Sequence, residues 1–218
     1  MKLSEEEIKK IAVRRRIRQQ AAAFLQRAKD AGIPQKFLRI GKDTFKNCLC
    51  SSYHKDVDKI VDLIYDSPDV IIKKPYFLID GGDVFSRSCA IHALLFRFIA
   101  CDKNGIYVSC RQMVHTLQDM KADGEISRNQ YLYKVKNIDI LSVGEITDSV
   151  FNVHLDTKSF VDDVIEHRYG YVKPTILSFE KPLCNENMFE ANRVGTYLAA
   201  LSSGEQSSNI VRIRVKKV

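Results

Sequence analysis

The chain has 218 residues, of which 45% are hydrophobic and 28% charged, the balance of a globular protein long enough to bury a core without disulfide or metal staples. No apolar run approaches the roughly 20 residues that cross a bilayer, and the first ten residues, acidic and then basic, lack the apolar stretch of a secretory signal, so a cytoplasmic protein with no membrane partner is expected. The net charge of +7 is concentrated at one end: residues 1–50 carry 13 Lys or Arg against 5 Asp or Glu, and the rest of the chain is close to neutral. Such a segment suits nucleic acid or an acidic protein surface, and it equally suits a solvated helix face.

Ser4-Glu5-Glu6-Glu7 opens a helix, with Ser4 as cap, Glu7 at the capping-box position and the acids at the positive helix end. Helical character continues through Arg14-Arg15-Arg16-Ile17-Arg18 and Ala21-Ala22-Ala23 to Gly32, a C-cap, and Pro34, a stop, so residues 1–31 read as one long basic helix. Val57, Ile60, Val61 and Ile64 have helical spacing, and Tyr76–Ile79 is a short apolar run after Pro75, hence a buried strand. An apolar helix over Ala90–Ala100 follows, then a strand over Ile106–Ser109, a helix marked by Met113, Leu117 and Met120, and a strand over Ile138–Val143. Phe160, Val161, Val164 and Ile165 mark a helix, Thr175–Phe179 a strand, Met188–Leu201 a helix and Ile210–Val215 a fifth strand.

Strands separated by helices imply βαβ units. The expected fold is α/β: a parallel five-stranded sheet flanked by helices, a P-loop-like core preceded by an N-terminal basic helix. We divide it into a helical arm and linker, residues 1–45, and a core, residues 46–218. The fifth strand alternates Val211, Ile213 and Val215 with Arg212, Arg214 and Lys216, which reads as an edge strand protected by charge.

Six cysteines lie mostly within or beside apolar segments, as free thiols do. Cys48 and Cys50 form a C-x-C pair with no second pair at zinc spacing, and the five histidines show no ligand spacing, so no metal site is expected.

The strand Tyr76–Ile79 runs into Asp80-Gly81-Gly82-Asp83-Val84-Phe85-Ser86-Arg87-Ser88 and then a helix, which is the context of a P-loop. That loop needs G-x-x-x-x-G-K-[ST], because its glycines let backbone N–H groups wrap phosphates, its lysine reaches the terminal phosphates and its hydroxyl holds Mg²⁺. Gly81 stands at the first glycine and Ser88 at the hydroxyl, but Ser86 replaces the second glycine and Arg87 the lysine. The strand Ile140-Leu141-Ser142-Val143-Gly144-Glu145 has the form of the second phosphate-site element, whose Asp-Glu end supports Mg²⁺ and polarises water; Gly144 replaces the Asp and Glu145 remains. Arg168-Tyr169 and Lys173-Pro174-Thr175-Ile176-Leu177-Ser178-Phe179-Glu180 come next.

From the lead-in Ala31-Gly32-Ile33-Pro34, with Phe37 after it, to the C-terminus, the order and spacing of these elements resemble the DnaC/IstB family, the AAA+ helicase loaders and transposition ATPases. The resemblance implies an asparagine at the end of the fourth strand, where this chain has Glu180. It also implies two arginines on the following helix, of which Arg193 is kept while Tyr197 holds the second position. Five positions thus depart from the family pattern, and Asp83 and Glu180 add negative charge where a polyanion should sit.

The expectation is a degenerate nucleotide site (Gly81, Ser86, Arg87, Ser88, Gly144, Glu145, Glu180 and Arg193) with no catalytic residue and no cofactor, ATP with Mg²⁺ being relevant only if the site still binds. The resemblance implies a DNA-replication protein that grips a replicative helicase or a helicase loader. Its basic arm (Arg14, Arg15, Arg16 and Arg18) would be the docking element, with single-stranded DNA as a further candidate partner and a phage or mobile element as a fitting source. The alternatives are a divergent, active loader ATPase and a DNA-binding accessory protein of transposition.

Overall fold

The computed structural model describes residues 5–52, 57–67, 73–123, 125–147, 155–180 and 210–217. Its first element is helix α1 (Glu5–Asp30), about 39 Å long at 1.5 Å per residue. Side chains 11–23 are all exposed, and among the described side chains the helix meets the body near its end, where the Phe24 ring packs edge-on against Phe96 at 4.8 Å and Ala28 is buried. The stop is the expected one. Gly32 adopts φ 82, its N–H bonds Lys29 O and the Ile33 N–H bonds Ala28 O, a Schellman end in which buried Ile33 and Ala28 supply the apolar closure. A 3-10 turn (Gln35–Phe37) follows Pro34 and leads to α2 (Lys42–Cys48) and α3 (Val57–Tyr65).

The core alternates strand and helix: β1 (Tyr76–Gly81), α4 (Val84–Ala100), β2 (Gly105–Ser109), α5 (Cys110–Asp123), α6 (Glu125–Asn137), β3 (Ile140–Ile146), α7 (Leu155–Gly170), β4 (Thr175–Phe179) and β5 (Ile210–Val215). The five strands form one parallel sheet in the order β2-β3-β4-β1-β5. Every residue of β1 and of β4 is buried, as expected for central strands covered on both faces. The period of two splits their side chains. Phe77, Ile79 and Ile176 pack with Leu94, Phe98 and Phe45 on one face; Tyr76, Leu78 and Leu177 pack with Met113, Leu117 and Val164 on the other. Ala28, Ala31, Ile33 and Phe37, from the stretch assigned to arm and linker, join the first of these clusters.

β5 is an edge strand, as its alternation predicts, and Arg214 faces β1. Its Nε and Nη2 bond the two oxygens of fully buried Asp80 at 2.8 and 3.0 Å, a bidentate pair that fixes the register of the edge. Three expectations need correction. Two helices, α5 and α6, stand between β2 and β3 where the periodicity predicts one. β3 runs from Ile140 to Ile146, because Ile138 and Asp139 belong to the turn closing α6. Helix α4 begins at Val84, six residues before the predicted Ala90. Ser4, the helix expected over Met188–Leu201, Arg193 and Tyr197 lie outside the described residues.

Candidate nucleotide site

β1 delivers the chain to Gly81 and Gly82, both in the left-handed region at φ 79 and 57. A Cβ on Gly82 would stand 2.7 Å from the Lys216 carbonyl oxygen, so this glycine allows the turn to pass against the end of β5. Asp83 is the N-cap of α4, and its carboxylate accepts the Ser86 N–H at 2.7 Å. Val84 and Phe85, which the P-loop pattern places in a loop, form the first turn of the helix and leave their side chains half exposed. Ser86 is fully buried and Ser88 half-buried, both inside the helix.

Arg87 turns back on the turn that precedes it. Its Nη1 donates to Gly81 O at 3.0 Å and to Gly82 O at 2.9 Å, and the side chain is buried. The start of α4 therefore carries the chain's own carboxylate on the Ser86 N–H and the chain's own guanidinium on the adjoining carbonyls.

At the end of β3 the pairing with β4 shifts register between Val143 and Ile146. Gly144 is buried and Glu145 is exposed, in the left-handed region at φ 58. A Cβ on Gly144 would lie 2.5 Å from the Tyr107 hydroxyl, so the phenol of β2 fills the space in which an aspartate side chain would stand. Burial, with the nearby Glu145 charge as the smaller cause, pushes the Tyr107 hydroxyl up to about 12 and keeps it protonated.

The Tyr107 ring packs on His92 of α4 at 4.4 Å, His92 stacks on Phe37 at 4.7 Å, and Phe37 lies 6.1 Å from Phe85. Burial, aided by Lys36, lowers the His92 pKa to about 4, so the imidazole in this stack is neutral. Glu180 ends β4, exposed, with its N–H on Ile146 O. The structure thus brings Gly81, Ser86, Arg87 and Ser88 together at one strand-to-helix turn and sets Gly144, Glu145 and Glu180 at the carboxyl ends of neighbouring strands. Sequence reasoning missed Tyr107, His92, the cap made by Asp83 and the Arg87 back-bonds. The cap was visible as an aspartate ahead of an apolar helix.

Arg168, part of the Arg-Tyr signature, is a structural residue. It is fully buried; Nη1 donates to the carbonyls of Val135, Lys136 and Ile138, Nη2 to those of Asp139 and Pro174, and Nε to the Thr175 hydroxyl. It caps the carbonyl end of α6 and ties it to the start of β4. Burial lowers its pKa to about 10. Arg14, Arg15, Arg16 and Arg18 are exposed on α1, remote in sequence from the turn. Cys48 bonds Thr44 O and Cys50 approaches the Ser52 hydroxyl, both as free thiols. Among the described residues no group of three His, Cys, Asp or Glu side chains could hold a metal ion, and no helix is long and apolar enough to cross a membrane.

No protein-family model and no curated protein matches the sequence. Solved structures do match the fold. AMPPCP-bound DnaA from Aquifex aeolicus is 13% identical, with a TM-score of 0.59 over 83% of this chain and 51% of that one. DnaI is 9% identical, with a TM-score of 0.54 over 85% and 92%. The DnaC helicase loader is 16% identical, with a TM-score of 0.50 over 79% and 98%. The chain spans about half the length of the DnaA structures it matches. At these identities the likeness is one of fold alone, the parallel five-stranded sheet between helices described above.

Proposed function

We propose that this chain is a helicase-loader-like binding protein of DNA replication that works without hydrolysing ATP and engages a replicative helicase, or a helicase loader, through its basic arm. The observation that carries the reading is the self-occupied start of α4. Asp83 holds the Ser86 N–H and Arg87 bonds the Gly81 and Gly82 carbonyls. A phosphate bound there would meet a carboxylate, and the cation meant to receive it is buried against carbonyl oxygens. Phosphoryl transfer rests on positioning and charge stabilisation, so losses at the loop and at Gly144 remove it together. The arm adds exposed arginines to a fold similar to that of a helicase loader, and a protein of this kind suits a phage or mobile element that redirects a host's helicase. Single-stranded DNA is a second ligand for the arm, since one neighbour of the same fold is DnaA bound to it.

The test is capture of a purified replicative helicase by the full chain, with Mg-ATP or with EDTA. Equal capture in both, reduced about tenfold or more (1.4 kcal/mol) by charge reversal of Arg14, Arg15, Arg16 and Arg18, is expected. Capture that needs ATP, or that ignores the charge reversal, contradicts the proposal. A steep loss of DNA affinity with salt, with no helicase captured, would favour a DNA-binding accessory role.

A further inference from the structure

The lead-in at Ala31–Phe37 and the end of β3, where Gly144 belongs to the degenerate nucleotide site, are connected through α4 and β2 by side chains of the chain itself. The Tyr107 N–H donates to Ala31 O at 2.7 Å, and Gly32 sits so close that a Cβ there would be 3.1 Å from the Tyr107 carbonyl oxygen. Phe37, at the end of the lead-in, stacks on His92 with an interplanar angle of 26°, His92 packs on Tyr107, and the Tyr107 phenol reaches the backbone of Gly144. This is one column running from lead-in to α4 to β2 to β3. Phe37 and His92 are buried and Tyr107 is half-buried.

The column also stands at the root of the arm. Side chains 11–23 of α1 are exposed, so the direction of that helix is set by its last two turns and by the lead-in. Among the described residues its holds include the Phe24–Phe96 contact, buried Ala28, the Arg27–Asp102 pair at the surface and the backbone bond from Tyr107 to Ala31. Only the last belongs to a residue of the column, and it couples the arm's end to the strand whose phenol closes on Gly144.

We propose that the column Phe37–His92–Tyr107 is the chain's internal substitute for a bound nucleotide, which clamps the lead-in to the core and so presents the arm in one fixed direction without any ligand. The inference rests on the reading of a site that no longer takes ATP, and it adds what took the ligand's place. An aromatic stack suits this task because offset rings hold both distance and angle, and a neutral His92 keeps charge out of the stack. The Arg87 back-bonds close the phosphate side and the column closes the side facing the lead-in.

Hydrogen exchange of the full chain, followed by mass spectrometry, tests it. Tyr107→Leu and Phe37→Leu remove the stack while keeping apolar volume, Tyr107→Phe keeps the ring, and Tyr133→Ala alters an exposed ring elsewhere. Amides of residues 24–38 should exchange about tenfold faster or more in both leucine variants. Residues 175–179 of β4 should stay at the wild-type rate, and Tyr107→Phe and Tyr133→Ala should match wild type throughout. Unchanged exchange at residues 24–38, or acceleration spread equally over β4, overturns the proposal by making the stack ordinary core. Mg-ATP separates the two levels: no effect on the wild type is expected, whereas slowed exchange at residues 24–38 and 81–88 would defeat the underlying reading as well.

Discussion

Gly144 and Tyr107 are a matched pair, because the glycine leaves room that the phenol fills. Gly144→Ala should therefore cost stability on its own, about 1–3 kcal/mol as an overpacking change, and the cost should largely vanish in a Tyr107→Val background. Urea unfolding of the four proteins, treated as a double-mutant cycle, measures this. His92 makes a pH prediction. Its folded pKa, about 4, lies below the ordinary 6.5, so between those values the unfolded chain binds the extra proton. The stabilisation is complete above pH 6.5 and declines as pH falls toward 4, by up to about 3 kcal/mol for a group this buried. His92→Phe should flatten that part of the urea-midpoint profile between pH 7 and 4.5. Neither Tyr107 nor His92 has a site signature in the sequence. A glycine in place of an aspartate is legible as a loss, but the group that compensates comes from another strand and is set by packing alone. Arg87 was legible as a departure from the pattern; its turn toward the Gly81 and Gly82 carbonyls was not.

The strands are legible where burial on both faces leaves a run that is apolar, as in Tyr76–Ile79 after Pro75, or mostly so, as in Thr175–Phe179 after Pro174. Helix α6 escaped because Glu125–Asn137 is polar along most of its length, with Tyr131, Leu132 and Val135 as its main inward contacts. The start of α4 precedes the expected Ala90 because Asp83, within the stretch that fits a loop pattern, caps the helix and begins it at Val84. Arg168 shows how an element boundary can rest on one side chain. Its five carbonyl partners close α6 and admit β4. Replacing it with methionine leaves those acceptors buried and without their donor, so thermal unfolding should report a loss of about 1–3 kcal/mol. Gly32→Ala at the end of α1 acts at the same scale. A left-handed φ of 82 and a contact of 3.1 Å to the Tyr107 carbonyl oxygen both oppose the methyl group, and a loss of about 1–2 kcal/mol is expected in the same measurement.

Across the whole molecule, charge and packing divide the work. The core is nearly neutral and buries two apolar layers against one parallel sheet, while the arm carries the positive charge on a helix whose outer part touches nothing else described. The division of charge was plain from composition, and the α/β fold class from the alternation of strand and helix patterns along the chain. The way the lead-in is welded onto β2 and α4 was not, since it depends on contacts among residues 31, 37, 92 and 107 that have no common spacing. If the arm is the binding element, its affinity for a partner should fall with salt and should not change with nucleotide. The central claim is that the site holds the chain's own groups instead of ATP. Calorimetric titration of the full chain with Mg-ATP, beside Arg87→Ala, tests it most directly. The account predicts no heat of binding from either protein. Micromolar affinity in the wild type, roughly −8 kcal/mol, abolished by Arg87→Ala, would contradict it and make the chain a divergent, working ATPase.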